Sequence, residues 1–466
     1  MVNSIHSAPK PAPKLEDTWR QARLIPTTGI GGQDEQEQRA TSSLLAVMRA
    51  VPQFGHALLS YLSAPNGHIE TFGEVHFLDA DEKTSIPDGG IIIERGKLRW
   101  VCLVEVKTGA SNLRLEQIER YLDLAKNHGI DGLLTISNQI TVSPLESPLL
   151  VDSRKTKKVA LRHLSWWQIM TEARVLHEHK GIDDPDQAWI LGELIAYLDH
   201  SKSGAGGFEG MGESWVSIRD GARAHVLKLS DQGVHDVAVR WEQFVQYLSL
   251  GLCQTLGRDV SAIWAKDLSP IARQDRLIHS LVEKGRLEAS IRVPAAASPI
   301  ELTADLPARL FTASVELAAP KEGRALTRVN WILRQLKDSP DSVRIEAHFH
   351  NVKETISATI KDIREKPERL LLKAEPHREP RSFHISLTEE LGTKRGKAAG
   401  SFVAESKQQL LNFYRTVVQE LKPWNETAPK LPVSIAIPDP SPAASPLPPD
   451  FGSLGREFGD ASLPKV

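Results

Sequence analysis

The sequence predicts an α/β fold, with a mixed central sheet flanked by helices, followed by a separate α+β domain. Segments of helical periodicity alternate with short apolar segments over residues 21–202, as in proteins that pack helices on both faces of a sheet. A glycine-rich stretch at 203–214 interrupts this pattern and has the composition of a linker. A second set of helices and strands then follows over 215–424.

The two ends of the chain lack the composition of a packed domain. Residues 1–20 are rich in Pro, Lys and Ala, and residues 425–466 are rich in Pro and Ser. We therefore expect a disordered N-terminal arm and a disordered C-terminal tail.

Composition excludes several classes of protein. The 57 Lys and Arg residues nearly balance the 59 Asp and Glu residues, so the chain is not a histone-like polycation. The two cysteines, Cys102 and Cys253, lie in apolar stretches and fit a reducing compartment better than a disulfide framework. The N-terminus has no apolar core of a signal peptide, and no stretch approaches the roughly 20 apolar residues of a membrane helix. We expect a cytoplasmic protein.

The elements of the first domain follow from periodicity and from turn residues. In chain order we expect a helix at 34–51, strands at 68–79, 89–95 and 98–108, a helix at 111–129, strands at 131–138 and 158–166, and helices at 165–176 and 184–199. The short Arg-Gly-Lys connection after residue 94 predicts a hairpin. In the helix at 111–129, an apolar stripe faces the sheet, Ser111 caps the start and Gly129 marks the end; the stripe comprises Leu115, Ile118, Leu122 and Ala125.

The second domain carries clear elements but no pattern that indicates chemistry. We expect helices at 237–257, 326–339 and 406–424, and strands at 286–294, 308–320 and 342–350. This mixture predicts an α+β domain, whose role the sequence leaves open.

Two charged residues lie inside the apolar strand at 98–108. Residues two apart in a strand share a face, so Glu105 and Lys107 point one way while Val104 and Val106 point to the other side. Buried charges are costly unless they are paired, hydrogen-bonded or bound to a metal. Asp88 precedes the neighbouring strand, and the hairpin brings it beside Glu105. Adjacent carboxylates repel unless a cation binds, and Mg²⁺ favours one or two carboxylates together with water.

Simpler interpretations of these residues exist. Glu105 and Lys107 would merely be solvated if this strand face were exposed, although the apolar residues on both sides favour a central strand. Asp88 lies in a Pro-Asp-Gly-Gly stretch, which is itself a strong turn signal. A turn residue can also be a ligand, so these two roles are compatible.

The arrangement resembles the PD-(D/E)XK nuclease superfamily, which has the restriction-endonuclease-like fold. Pro87-Asp88 matches the PD element and Glu105-Val106-Lys107 matches the (D/E)XK element. Gln117 and Tyr121, four apart on the next helix, match the Q-x-x-x-Y element of RecB-type members. The resemblance covers residues 25–200 approximately and does not reach the second domain.

The resemblance implies a function and a set of site residues. It implies a nuclease that hydrolyses phosphodiester bonds, with DNA as the expected substrate and a role in defence or DNA repair. The implied cofactor is Mg²⁺, for which Mn²⁺ can substitute. Asp88, Glu105, Lys107, Gln117 and Tyr121 would be catalytic, with Asp88 and Glu105 as metal ligands. An acid of the first helix often joins the metal in this family. Glu37 is the candidate and Glu35 its competitor, although a first-turn acid can also serve only the helix dipole.

Other properties of the family remain open for this chain. Many relatives act as dimers to cut two strands, so a homodimer is one expectation. The alternative function is a catalytically inactive nuclease-like scaffold that binds nucleic acid or protein. Its Q-x-x-x-Y residues would then be ordinary surface and core residues.

Four basic residues are weaker candidates for contacts with nucleic acid. Arg114 lies three residues before Gln117, and the basic run at 153–163 contains Lys155, Lys157 and Lys158. Such a run can bind phosphates, but it is more often a solvated loop. Trp166 and Trp167 can stack on bases, but at the start of an apolar helix they fit a core better. Asp79 and Asp81 are expected in a solvated loop before the site.

Overall fold

The computed structural model describes residues 23–27, 29–78, 84–264 and 269–425. The chain divides into two units, Met1–Trp424 and Asn425–Val466, and every helix and strand given below lies in the first. The expected N-terminal arm at 1–20, nearly all of the tail at 425–466, and the loop residues Asp79 and Asp81 lie outside the described residues.

A five-stranded mixed sheet organises residues 23–202, here called the N-terminal region. Its helices are α1 (Gln33–Ala50), α2 (Pro52–Ser60), α3 (Leu115–Asn127), α4 (Trp166–Arg174) and α5 (Pro185–Leu198). Its strands are β1 (His68–Gly73), β2 (Phe77–Leu78), β3 (Thr84–Ser85), β4 (Gly89–Arg95), β5 (Leu98–Val106), β6 (Gly132–Ser137) and β7 (Ala160–Ser165). The sheet order is β1-β4-β5-β6-β7, and β2 pairs only with β3.

The direction of the strands matches the predicted mixed sheet. β1, β4 and β5 are antiparallel neighbours, whereas β5, β6 and β7 run parallel. A parallel pair needs a crossover connection, and α3 supplies it between β5 and β6. β5 is therefore the central strand, with an antiparallel neighbour on one side and a parallel one on the other.

Helices cover both faces of this sheet. Val104 and Val106 of β5 lie in the core that includes residues of α1, α2, α4 and α5. Leu103, on the opposite face of β5, lies in the core built around α3. The alternation of faces predicted along β5 is confirmed.

Three local expectations are wrong. The strand expected at 68–79 is two separate strands, β1 and β2, which belong to different sheets. The N-cap of α3 is Arg114 rather than Ser111, so this helix begins later. Leu115 is 41% exposed because it lies in the first turn at the edge of the sheet, and Tyr121 and Leu124 complete the buried stripe in its place.

A seven-stranded antiparallel sheet organises residues 215–424, the C-terminal region. Its helices are α6 (Trp215–Arg223), α7 (Gln232–Leu256), α8 (Pro270–Lys284), α9 (Ala325–Gln335), α10 (Ile360–Glu365) and α11 (Phe402–Thr416). Its strands are β8 (Ser261–Ile263), β9 (Arg286–Arg292), β10 (Ile300–Asp305), β11 (Leu310–Ala318), β12 (Arg344–Phe349), β13 (Ile356–Thr359) and β14 (Pro380–Glu390), in the order β13-β12-β14-β11-β10-β9-β8. The expected mixture of helices and strands is confirmed.

The glycine-rich segment 203–214 is packed against both regions. The Ser203 hydroxyl donates to the Leu198 carbonyl at the end of α5. Phe208 and Met211 lie in the core of the C-terminal region. The segment therefore connects the two sheets through buried contacts of its own.

No helix in the described ranges combines the length and apolar character needed to cross a bilayer. Both cysteines are buried free thiols.

Candidate active site

The hairpin of β4 and β5 places the first two acids side by side. Gly89 is paired with Val104, so Asp88 lies one position beyond the last paired residues and beside Glu105. The backbone N–H of Val106 donates to Asp88 Oδ2 at 2.7 Å, which fixes this carboxylate against the end of β5. A carboxyl–carboxyl contact between Asp88 and Glu105 affects the titration of both groups.

The Lys107 ammonium lies among three carboxylates. It is 2.7 Å from Glu105 Oε1 and 3.8 Å from Asp88 Oδ2. It also donates to Glu37 Oε1 and to the Val106 carbonyl, both at 2.8 Å. Glu37 comes from α1, so the site joins a helix to the central strand. Three acids surrounding one base leave a net negative site.

Glu105 is the most deeply buried member of this group. Its side chain is 1% exposed, against 13% for Lys107 and 27% for Asp88. Lys107 Nζ, at 2.7 Å, is the partner of Oε1. Glu105 Oε2 has no hydrogen-bond donor among the described residues. Buried polar atoms without partners are rare in folded proteins and are expected where a ligand or ion binds.

Burial and mutual repulsion shift the titration of these groups. Burial and the charge of Asp88 raise the pKa of Glu105 to about 8. Burial also raises the pKa of Asp88 and of Glu37 above their usual ranges. Burial works to lower the pKa of Lys107, but the charges of Glu105, Glu37 and Asp88 outweigh it and hold that pKa above its usual range. The lysine is thus a permanent cation, whereas the acids compete for a proton.

The Q-x-x-x-Y pair lies next to the acids and acts on the backbone that carries one of them. The Tyr121 hydroxyl donates to the Ile86 carbonyl at 3.0 Å, two residues before Asp88. Gln117 Nε2 donates in turn to the Tyr121 hydroxyl at 3.3 Å. Tyr121 is 2% exposed. In this structure the pair positions the loop that presents Asp88.

The weaker candidates lie outside this group. Glu35 accepts from the Gly31 backbone and pairs with Arg39, whereas Glu37 lies in the site. Arg114 is exposed at the start of α3. Lys155 pairs with Asp123 of α3.

The other basic residues and the two tryptophans fill ordinary places. Lys157 and Lys158 are exposed on the connection between β6 and β7. Trp166 is 1% exposed and lies in the core, while the Trp167 ring packs at a tilt against Tyr247 with 4.8 Å between ring centroids.

Sequence reasoning missed the residues that support the end of β5. Trp166 Nε1 donates to the Lys107 carbonyl at 2.9 Å. Thr108, fully buried, donates to Gln36 Oε1 of α1 at 3.2 Å. Gln36 and Glu37 lie one turn before the buried Ala40 and two turns before the buried Leu44, on the same side of α1. The signal available in the sequence was that these polar residues continue the apolar stripe of α1 towards its N-terminus.

A row of buried polar residues continues from Glu105 across the sheet. Glu105 is paired with Thr135 of β6, and Thr135 is paired with His163 of β7. His163 Nδ1 contacts the Thr135 hydroxyl at 3.0 Å, and its Nε2 contacts the Gln139 carbonyl at 2.8 Å. Burial lowers the pKa of His163 to about 4, so this imidazole is neutral at physiological pH.

The donor set is suited to a hard divalent cation. Among the described residues, no three His, Cys, Asp or Glu side chains already converge as a metal site. Mg²⁺ commonly takes only one or two carboxylates and completes its coordination with water. Asp88 and Glu105 meet that requirement, and Glu105 Oε2, which has no donor among the described residues, is the observation that fits such an ion.

Comparison with protein-family models and with curated proteins finds no match for this chain. What the site can do is therefore inferred from its own residues.

Proposed function

We propose that the protein is a divalent-metal-dependent nuclease that hydrolyses phosphodiester bonds, with DNA as substrate. The observation that carries the proposal is Glu105, a buried carboxylate that shares one lysine with two other acids and whose Oε2 has no hydrogen-bond donor among the described residues. A purely structural ion pair would satisfy both carboxylate oxygens, because an unsatisfied buried acceptor costs about 1–3 kcal/mol. The adjacent acid and lysine supply the remaining groups that metal-assisted hydrolysis needs.

Each residue has a role that follows from its position. Asp88 and Glu105 would hold Mg²⁺, which supplies electrostatic stabilisation of the negative charge that develops on the phosphate. Lys107, kept protonated by three acids, lies where it can orient the attacking water and stabilise the same charge. Tyr121 and Gln117 hold the loop before Asp88.

The reaction is a hydrolysis at phosphorus. The water oxygen forms a bond to phosphorus and gives up one proton, the bond from phosphorus to one ester oxygen breaks, and that oxygen gains one proton and leaves as a hydroxyl, so that one water is consumed overall. The products are one strand end with a phosphate and one with a hydroxyl. Glu37 holds the lysine from the α1 side and so contributes to its position.

A cleavage assay on a substrate panel tests the proposal. Wild-type protein is incubated with duplex, single-stranded and branched DNA and with RNA, with Mg²⁺, with Mn²⁺ or with EDTA. We expect metal-dependent cleavage of DNA that Lys107→Ala reduces by at least about 100-fold, the size of effect seen when a transition-state donor is removed. Lys97→Ala, in the turn at the other end of the same hairpin, is the matched control and should cleave normally.

The opposite results separate this proposal from the scaffold alternative. No cleavage of any substrate by the wild type with either metal would contradict a nuclease. Tight binding of nucleic acid without cleavage, unaffected by Lys107→Ala, would identify a binding scaffold instead. Equal cleavage by wild type and Lys107→Ala would show that the activity comes from elsewhere.

A further inference from the structure

A cleft lies in the C-terminal region, where β11, β14 and the start of α9 come together. Its volume is about 480 Å³, within the range of small-molecule sites. Its polar and aromatic lining comprises Lys321, Arg328, His350, Glu379, Arg381 and Trp424, and the rest of the wall is mainly apolar. The candidate nuclease residues contribute nothing to this cleft.

The cleft is lined by three cationic side chains and one carboxylate. Arg328 is 9% exposed, and its guanidinium donates to the backbone carbonyls of Gly323, Pro380 and Lys321 at 2.8–3.1 Å. These bonds use three of the five N–H groups of an arginine, so two remain. Within the described ranges, no carboxylate lies at ion-pair distance from Arg328 or Arg381. A buried cation without a counter-ion favours binding of an anion.

The shape of the cleft adds to this electrostatic preference. The pairing of β12 with β14 shifts register between His348 and Phe349, where Phe349 pairs with Pro380. Such bulges redirect side chains and are frequent beside binding sites. The shifted ends of these strands carry His350, Glu379 and Arg381 to the cleft. Its apolar wall and the Trp424 ring offer a surface for a flat, uncharged group.

We propose that this cleft binds a nucleoside phosphate, with the phosphate at Arg328 and Arg381 and the base against Trp424 and the apolar wall. Arginine favours phosphate because its planar N–H groups can bind two oxygens at once. Aromatic rings bind any nucleobase by stacking. The ligand is either a free nucleotide or the 5′-phosphorylated end of a nucleic-acid strand, since both present the same chemistry.

Calorimetric titration of the full chain in EDTA tests this proposal without any contribution from metal-dependent cleavage. The probes are adenosine 5′-monophosphate, adenosine, inorganic phosphate, and a short DNA strand with or without a 5′-phosphate. We expect saturable binding of the monophosphate, weaker binding of phosphate alone and of adenosine alone, and at least about tenfold weaker binding in Arg381→Gln and in Trp424→Ala. Lys337→Gln, an exposed lysine beyond the other end of α9, is the control and should bind as wild type.

The remaining outcomes are equally decisive. Tighter binding of the phosphorylated strand than of the mononucleotide would identify a strand end as the ligand, whereas the reverse would identify a free nucleotide, and either supports the proposal. No binding of either at millimolar concentration would overturn it. So would binding that Arg381→Gln and Trp424→Ala leave unchanged. Because EDTA abolishes metal-dependent cleavage, failure here would leave the proposed nuclease function intact.

Discussion

Two buried ion clusters, one in each region, differ in how their charges are satisfied. The acid cluster of the N-terminal region comprises Glu37, Asp88, Glu105 and Lys107. The arginine cluster comprises Glu242 of α7, Arg273 of α8 and Glu146, which comes from the N-terminal region. Both contain more acids than bases. Burial raises the pKa of Glu242, as it does that of Glu105.

The hydrogen bonds separate the two clusters. Arg273 Nε donates to Glu242 Oε1 at 2.5 Å, and Gln274 donates to Glu242 Oε2 at 3.4 Å. Arg273 also reaches Glu146 Oε2 at 3.3 Å, and its guanidinium lies 5.3 Å from the centre of the Trp264 ring. Both oxygens of Glu242 therefore have donors, whereas Glu105 Oε1 has only its ion pair with Lys107 and Oε2 has no donor among the described residues.

This difference shows which property of a buried charged group indicates a reactive site. Burial and a raised pKa occur in both clusters, so neither property distinguishes a reactive site from a structural ion pair. Unsatisfied acceptors do distinguish them, because a purely structural cluster gains nothing from leaving them unpaired. The arginine cluster joins the two regions, and the acid cluster is where we propose that a metal binds.

Replacing Arg273 should have the largest effect on stability. Arg273→Ala leaves Glu242 buried without its partner, so we expect the free energy of unfolding to fall by about 3–5 kcal/mol. Urea denaturation measures the change. The double variant Glu242→Leu with Arg273→Leu should recover most of the loss, because it removes both charges. A loss below 1 kcal/mol in Arg273→Ala would show that the arginine cluster is not structural.

A further buried titratable group, His163, is neutral rather than charged. Its pKa is lowered to about 4 in the folded protein, against about 6.5 when unfolded, so the unfolded chain binds the extra proton between these values. Above pH 6.5 this residue therefore contributes about 3 kcal/mol to the free energy of unfolding, and that contribution is lost as the pH falls towards 4.

Urea denaturation from pH 7 to pH 4 measures this dependence. His163→Gln should show a flatter profile than wild type over that range. His68→Gln, whose side chain is 70% exposed, should follow the wild-type profile. Identical profiles for wild type and His163→Gln would contradict the lowered pKa.

Glu105→Gln should change stability in the opposite direction from Arg273→Ala. The amide carries no charge beside Asp88, so we expect the free energy of unfolding at pH 8 to rise by about 1 kcal/mol while metal-dependent cleavage is lost. Glu94→Gln, on the exposed side of the same hairpin, should remain within about 0.5 kcal/mol of wild type. Destabilisation by more than about 1 kcal/mol would make the acid cluster structural, like the arginine cluster.

The smallest effect is expected at Tyr121. Tyr121→Phe leaves the Ile86 carbonyl without its donor, so we expect a loss of roughly 0.5–1 kcal/mol in the free energy of unfolding. Tyr414→Phe removes a hydroxyl that has no hydrogen bond among the described residues and serves as the control. Equal changes in the two variants would show that the Tyr121 hydroxyl does not hold the loop before Asp88.

The sequence predicted the parts of this site that depend on short-range geometry. The pleat alone places Glu105 and Lys107 on one face, and a two-stranded hairpin brings Asp88 beside them. The partner of Tyr121 is a backbone carbonyl, which any residue provides, so no side-chain pattern could reveal it. In the arginine cluster, Glu146 and Arg273 are 127 positions apart, so only the tertiary fold brings them together.

In the C-terminal region, periodicity found some strands and missed others. β14 was missed although Phe383, Ile385 and Leu387 alternate with more exposed residues, because a proline and several polar residues dilute the pattern. α11 was predicted to start at 406, but Ser401 caps it earlier by accepting from the Ala404 backbone. Capping residues fix where an element begins more sharply than apolar periodicity does.

The glycine-rich segment has a consequence for synthesis of the protein. The Gly204 carbonyl accepts from the Gly109 N–H and from Asn138 Nδ2, both at 2.9 Å, and Gln36 donates to the Lys202 carbonyl at 2.8 Å. These bonds close the edge of the sheet just beyond Lys107, and the residues whose carbonyls accept them, Lys202 and Gly204, leave the ribosome long after β5 does. A chain that stalls after β7 has every strand of the first sheet but lacks these hydrogen bonds beside Lys107. Translation past residue 204 is therefore the step that completes this part of the molecule.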